Sequence, residues 1–128
     1  MAGRVLIVDG DPDMRDLFAE VLALDMHDVR AASSVDEALT VAWPHASGPQ
    51  VILVDAAFAQ GDDIPALGAA LVRRWPEGEV VYLADACHPD TKRRLERGRM
   101  RHFARPFQIE SLRDLVNGML DRQAHAGR

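Results

Sequence analysis

The chain has 128 residues, 48% hydrophobic and 27% charged, which is enough for one domain with a real core and excludes a disordered tail. Fifteen Lys and Arg against twenty Asp and Glu leave a net charge of −5, which argues against direct nucleic-acid binding as the main function. The longest apolar run falls far below the roughly 20 residues of a membrane span, and the start Met1 to Asp9 has no basic leader, so a cytoplasmic protein without a membrane partner is expected.

Strand one is Arg4 to Val8, a continuous apolar run of the kind covered by helices on both faces. It stops at Asp9-Gly10-Asp11-Pro12, where Asp11 suits an N-cap and Pro12 a first helical turn. Met14, Leu17, Phe18, Val21 and Leu22 then recur at helical spacing to about Leu24. Asp28 to Ala32 reads as a short strand, and Ser34 as the cap of a helix that carries Val35, Ala38, Leu39 and Ala42 and ends before Pro44. Val51 to Val54 is a second strongly apolar strand and also ends on an acid, Asp55.

Pro65 opens the next helix, which Trp75-Pro76-Glu77-Gly78 closes, and Val80 to Ala84 is strand four. Pro89 to Gly98 is a short basic helix, with Gly98 expected to turn the chain in a left-handed cap. Phe103 to Arg105 is strand five, and Ile109, Leu112, Leu115, Val116 and Leu120 mark the last helix. One domain over residues 1–123 is expected, with 124–128 as a frayed tail and fraying setting in at Gln123. Strict alternation gives an α/β fold, (βα)5, in which right-handed crossovers bring strand carboxyl ends to one rim.

Asp9, Asp11 and Asp55 converge on that rim, with Asp62, Asp63 and Asp85 on nearby loops. Clustered carboxylates repel and so point to a hard cation such as Mg²⁺, which takes oxygen ligands and keeps several waters. Asp11 reads equally as a helix cap, and Asp62 and Asp63 as a solvated loop. Asp9 and Asp55 differ, because an acid closing an apolar strand has no capping role. Arg105, before Pro106-Phe107, ends strand five on the same rim, where its cation can bind an anion.

The remaining marked residues read blandly. The five histidines, His27, His45, His88, His102 and His125, lack ligand spacing, so they read as surface groups and not as a zinc site. Cys87 is a lone thiol, which excludes an internal disulfide. Trp43 and Trp75 end helices beside prolines and read as packing residues. The basic run Lys92, Arg93, Arg94, Arg97, Arg99 and Arg101 is a solvated helix face or a docking site for an acidic partner, with Arg93, Arg94 and Arg97 as its candidates.

Across nearly the whole chain the sequence resembles the receiver domain of bacterial two-component response regulators. The resemblance rests on Val5-Leu-Ile-Val-Asp9 with Asp11-Pro-Asp-Met-Arg15, then Val51-Ile-Leu-Val-Asp55, Val80-Val-Tyr-Leu-Ala84 and Phe103-Ala-Arg-Pro-Phe107, in that order. It implies a flavodoxin-like three-layer sandwich with a parallel sheet of order 2-1-3-4-5. It also implies that Asp55 accepts a phosphoryl group from a sensor histidine kinase or a histidine phosphotransfer protein. Mg²⁺ would sit on Asp9, Asp55 and the backbone carbonyl of Ala57, with Asp11 as a further candidate, and Arg105 would contact the phosphate.

The departures matter as much. Gly10 stands where the family has a second acid, Ala84 (or Asp85, if the alignment slips by one) where it has a hydroxyl, His102 where it has the switching aromatic, Ala59 where it has a proline, and Arg105 where it has lysine. Weak Mg²⁺ binding and a weakened switch are expected. Two readings stay open: a phosphorelay receiver with an atypical site and a downstream protein partner, or a pseudo-receiver that binds a protein without phosphorylation. A small flavin enzyme of the same topology is disfavoured by the acidic rim, where a phosphate-cradling loop would be wanted. No enzyme activity beyond self-catalysed phosphoryl transfer is implied.

Overall fold

The computed structural model describes residues 3–56, 64–85, 89–98, 100–105 and 108–126. Ten elements alternate along the chain: β1 (Arg4–Val8), α1 (Pro12–Ala23), β2 (Asp28–Ala32), α2 (Val35–Ala38), β3 (Val51–Asp55), α3 (Ile64–Arg74), β4 (Glu79–Asp85), α4 (Pro89–Arg97), β5 (His102–Arg105) and α5 (Ile109–Ala126). The sheet is parallel throughout, in the order β2-β1-β3-β4-β5. This is the flavodoxin-like architecture.

Period-two alternation along the central strands divides the core between the two sheet faces. Leu6, Val8, Ile52 and Val54 pack with Leu71, Trp75 and Leu95 of the α3 and α4 region. Val5, Ile7, Val51 and Leu53 pack with Phe18 and Leu22 of α1 and with Leu112, Val116 and Met119 of α5. Every one of these strand residues is fully buried, and each buried aliphatic side chain stabilises by about 1.5–3 kcal/mol.

Five expectations need correction. The second helix stops at Ala38, well short of Ala42. It closes in tight turns, Thr40 N–H to Glu37 O and Val41 N–H to Ala38 O, while the Thr40 hydroxyl donates to the same Glu37 carbonyl. Trp43 therefore ends no helix, and its ring instead lies under the Arg30 guanidinium, 5.1 Å from centre to cation. The end of the last helix does not fray at Gln123: helix continues to Ala126, and the Gln123 amide donates to Gln50 O at 2.9 Å and Glu79 Oε1 at 3.0 Å. Residues 127 and 128 lie outside the described part.

Gly98 makes no left-handed cap, and its N–H continues the helical pattern to Arg94 O. Among the described residues the left-handed backbone falls at Gly48 and at Met26, which closes α1 at φ 66°. Finally, His27 is no surface group but is 8% exposed. Its Nδ1 accepts from Gly3 N–H and its Nε2–H donates to Asn117 Oδ1. That amide donates to Asp25, which also receives a two-pronged bond from Arg113. The chain leaving α1 is thus tied to α5 across about ninety residues of sequence.

Gly48 is the tightest point of the long β3 approach. It sits at φ 68°, and a Cβ there would run into the Trp75 ring at Cδ1. Gly48→Ala should therefore cost about 1–3 kcal/mol, through both backbone strain and collision with a buried ring; urea denaturation measures it, and a cost below a few tenths of that would contradict this packing. The Arg113 guanidinium, aided by the Asn117 amide, lowers the Asp25 carboxyl to about 2. A depressed acid contributes stability above its unfolded value near about 4 and loses it as pH falls toward the folded value. Acid titrations should show that component in the parent and not in Asp25→Asn, and a carboxyl carbon titrating near the ordinary value by NMR would refute it.

Candidate functional site at the strand carboxyl ends

The β1–β3 register pairs Val8 with Val54, so the next residues on both strands, Asp9 and Asp55, lie side by side. Asp9 is fully buried and Asp55 half-buried. Asp9 N–H still bonds Ala32 O at 3.1 Å, extending the β1–β2 ladder, and Asp9 Oδ1 accepts from Asp11 N–H at 2.9 Å. The strand end, the acid and the turn that follows are therefore one hydrogen-bonded unit.

Asp11 is the N-cap of α1. Its extended backbone and the bond from Asp13 N–H to its Oδ1, at 3.0 Å, engage the exposed carboxylate with the helix end. Gly10 brings no side-chain oxygen. The candidate acids closest to hand are thus Asp9 and Asp55. Ala57, Ala59, Asp62, Asp63 and Cys87 lie outside the described residues, and Asp85, far from being on a loop, is the last residue of β4. Its register partner is Arg105, which puts Arg105 on the same rim by its backbone.

Ala84 is buried in the core cluster on the α3–α4 side, opposite Ala104. His102 pairs with Tyr82 in register, is half-buried, and its Nδ1–H donates to Met100 O at 3.1 Å. Neither position offers the rim a hydroxyl. Arg93, Arg94 and Arg97 sit on α4, away from these acids in sequence and element.

One rim residue was not singled out from the sequence. Arg15, one helical turn after the cap, donates from Nη1 to the Asp9 carbonyl at 3.0 Å. Its charge also bears on Glu37, whose carboxyl is held below the usual range chiefly by the Ser33 hydroxyl, then by the Ser33 amide, with Arg15 adding to both. The available signal was the i, i+4 spacing from Asp11, which turns Arg15 back toward the strand end.

An all-parallel five-stranded sheet with an acid pair on its central strand ends and a cation on the fifth defines a receiver-type signalling domain. The chain belongs to the response regulator receiver domain family, whose model matches residues 5–117. NtrX from Brucella abortus, solved with ATP, is 26% identical with a TM-score of 0.79, over 98% of this chain and 28% of that one. A response regulator from Thermotoga maritima is 18% identical with a TM-score of 0.75, over 94% and 99% of the two chains. A receiver domain protein from Clostridium thermocellum is 16% identical with a TM-score of 0.77, over 97% and 98%. These last two show the fold alone. The chain spans under a third of the NtrX chain, and no curated protein matches it.

Receiver domains generally bind Mg²⁺ at the phosphorylation site. The residues here do not fit a tightly held ion. Mg²⁺ demands near-octahedral oxygen ligands and gives up water reluctantly, whereas Gly10 has no side-chain oxygen, Asp11 caps a helix, and Asp9 Oδ1 already accepts an amide. Among the described residues no group of three His, Cys, Asp or Glu is placed to hold a metal. Gly10→Asp should therefore bind Mg²⁺ more tightly than the parent in calorimetric titration. Equal affinity would mean that Asp11 leaves its cap to serve the metal, or that the metal sits elsewhere.

Proposed function

We propose that the chain accepts a phosphoryl group on Asp55 from the phosphohistidine of a sensor kinase or a phosphotransfer protein. In this step an Asp55 carboxylate oxygen attacks phosphorus in line, the phosphorus–nitrogen bond breaks, and the imidazole leaves with the electron pair. The observation that supports it is the placement of half-buried Asp55 beside buried Asp9 at the carboxyl ends of adjacent strands. Phosphoryl transfer depends mainly on positioning and on neutralising charge, so a reduced metal site slows it without removing the acceptor. Arg105, whose backbone lies on that rim, is the proposed phosphate-contacting cation, and Asp9 with Asp55 the proposed seat of a weak Mg²⁺ interaction with the Ala57 carbonyl.

A second reading has its own observation. With Ala84 buried among apolar side chains and His102 bonded to its own strand's start, the hydroxyl and aromatic pair that would report a phosphate is missing, and a ligand without a two-state element shifts nothing. A pseudo-receiver that docks a protein without phosphorylation would look the same. Intact mass after incubation with a small phosphoryl donor and Mg²⁺ separates the two. The first reading expects a gain of one phosphoryl group by the parent and none by Asp55→Ala. No gain by either leaves the pseudo-receiver, and an equal gain by both would place the acceptor at another residue.

A further inference from the structure

The strand-end rim differs from a metal site in a further respect, because it carries a cation of its own. Arg15 is half-buried on α1. Its backbone N–H bonds the Asp11 carbonyl at 3.0 Å, in the first turn of the helix. From there its Nη1 reaches back over the turn and donates to the Asp9 carbonyl, also at 3.0 Å. The guanidinium is thus fixed against the residue on which β1 leaves the sheet.

Acids face it from two sides. Toward α2 is Glu37, exposed and already engaged by the Ser33 hydroxyl at 2.5 Å and the Ser33 amide at 3.3 Å. Those two bonds, the hydroxyl first, hold its carboxyl below the usual range, and Arg15 adds least. Asp11 is likewise exposed and turned to its helix cap. Toward the sheet are Asp9, fully buried, and Asp55, half-buried on the neighbouring strand. Paired strands lie about 4.8 Å apart. A charge 3.0 Å from the Asp9 carbonyl is therefore within roughly one Debye length, about 8 Å, of both acids. Burial lessens screening on this side, so the acid pair is where the Arg15 charge is felt most.

Arg15 and a divalent ion would do the same work here. Each neutralises the acid pair, and neutralising charge is much of what a protein contributes to phosphoryl transfer. A divalent ion would also approach against a positive charge already in place, and shed water with no side-chain oxygen from Gly10 in return. We propose that Arg15, acting through Asp9, takes the charge-neutralising place of the divalent ion at this rim, so that the acceptor step at Asp55 runs without Mg²⁺. In that step an Asp55 oxygen bonds phosphorus, the phosphorus–nitrogen bond breaks, and the nitrogen leaves with the electron pair and takes a proton from water. The acceptor half of the proposal rests on the reading of Asp55 as phosphoacceptor, whereas the opposition between Arg15 and Mg²⁺ does not.

The test compares the full chain with Arg15→Gln, which removes the charge, and Arg15→Lys, which keeps it. The first readout is a Mg²⁺ titration followed at the Asp9 and Asp55 carboxyl carbons by NMR. Arg15→Gln should bind Mg²⁺ at least about 5-fold more tightly than the parent, because one opposing charge is gone, and Arg15→Lys as weakly as the parent. The second is intact mass with phosphoramidate as donor. The parent should gain its phosphoryl group in chelator at within about 3-fold of its rate in excess Mg²⁺, whereas Arg15→Gln should be at least about 10-fold slower in chelator and recover with Mg²⁺. A parent that gains the group only with Mg²⁺ would overturn the proposal without any variant. So would equal Mg²⁺ affinity of Arg15→Gln and the parent. Equal changes in the Gln and Lys variants would overturn it too, since the bond to the Asp9 carbonyl and not the charge would then be the cause. No phosphoryl gain in any sample, together with tighter Mg²⁺ binding by Arg15→Gln alone, would defeat the Asp55 reading and uphold the exchange of the metal for Arg15.

Discussion

The constraint that organises this molecule is the double-sided burial of β1 and β3. A strand with helices on both faces must be apolar at every position, and it can turn polar only where it emerges from the sheet. Val5 to Val8 and Val51 to Val54 are fully buried, and the first polar residue after each run is Asp9 or Asp55. Because the strands run parallel and pair Val8 with Val54, both polar exits open on the same rim. The acid pair is thus a consequence of the core. Two like charges brought together in that way need compensation, and the chain supplies part of it locally: the Asp11 amide to the Asp9 carboxylate, and the Arg15 guanidinium to the Asp9 carbonyl.

How far this could be read from sequence depended on how local each cause was. The strands were legible because their apolar runs are unbroken, and the order 2-1-3-4-5 followed from alternation and the resemblance together. The start of α1 was legible because Asp11 and Pro12 each have a role only at a helix end, and the structure gives Asp11 the cap. The early stop of α2 was not: Ala42 continues the apolar pattern, while the Thr40 hydroxyl bond that accompanies the stop acts through a side chain, and Trp43 finds its partner in Arg30 of β2. His27 was misplaced for the same reason. Its partners Gly3 and Asn117 lie 24 and 90 residues away, and no spacing rule in one sequence links them.

Gly98 and Met26 show the opposite error. Glycine is the residue that tolerates left-handed backbone best, yet Gly98 does not use it, and Met26 adopts it at the end of α1. Composition says where a conformation is cheap, while tertiary geometry decides where it is needed. Immediately before and after Met26, Asp25 is held by Arg113 and His27 by Asn117. Both neighbours are fixed to α5, and these bonds on either side offset the cost of the left-handed turn at Met26, about 1 kcal/mol or more.

The same reasoning separates the rim from the α4 surface. Rim residues are determined by the sheet: Asp9 cannot move without breaking the bond of its own amide to β2, and Asp11 cannot leave without uncapping α1. The arginines of α4 lie exposed on a helix that one buried leucine anchors, and Arg93 pairs with Asp90 of the same helix. A change of charge at the rim reaches them only through an element with two packed arrangements. The family places that element at the positions occupied here by Ala84, sealed in the core, and His102, bonded back to Met100. Those two positions carry a methyl group and an imidazole, neither of which supplies a hydroxyl to the rim.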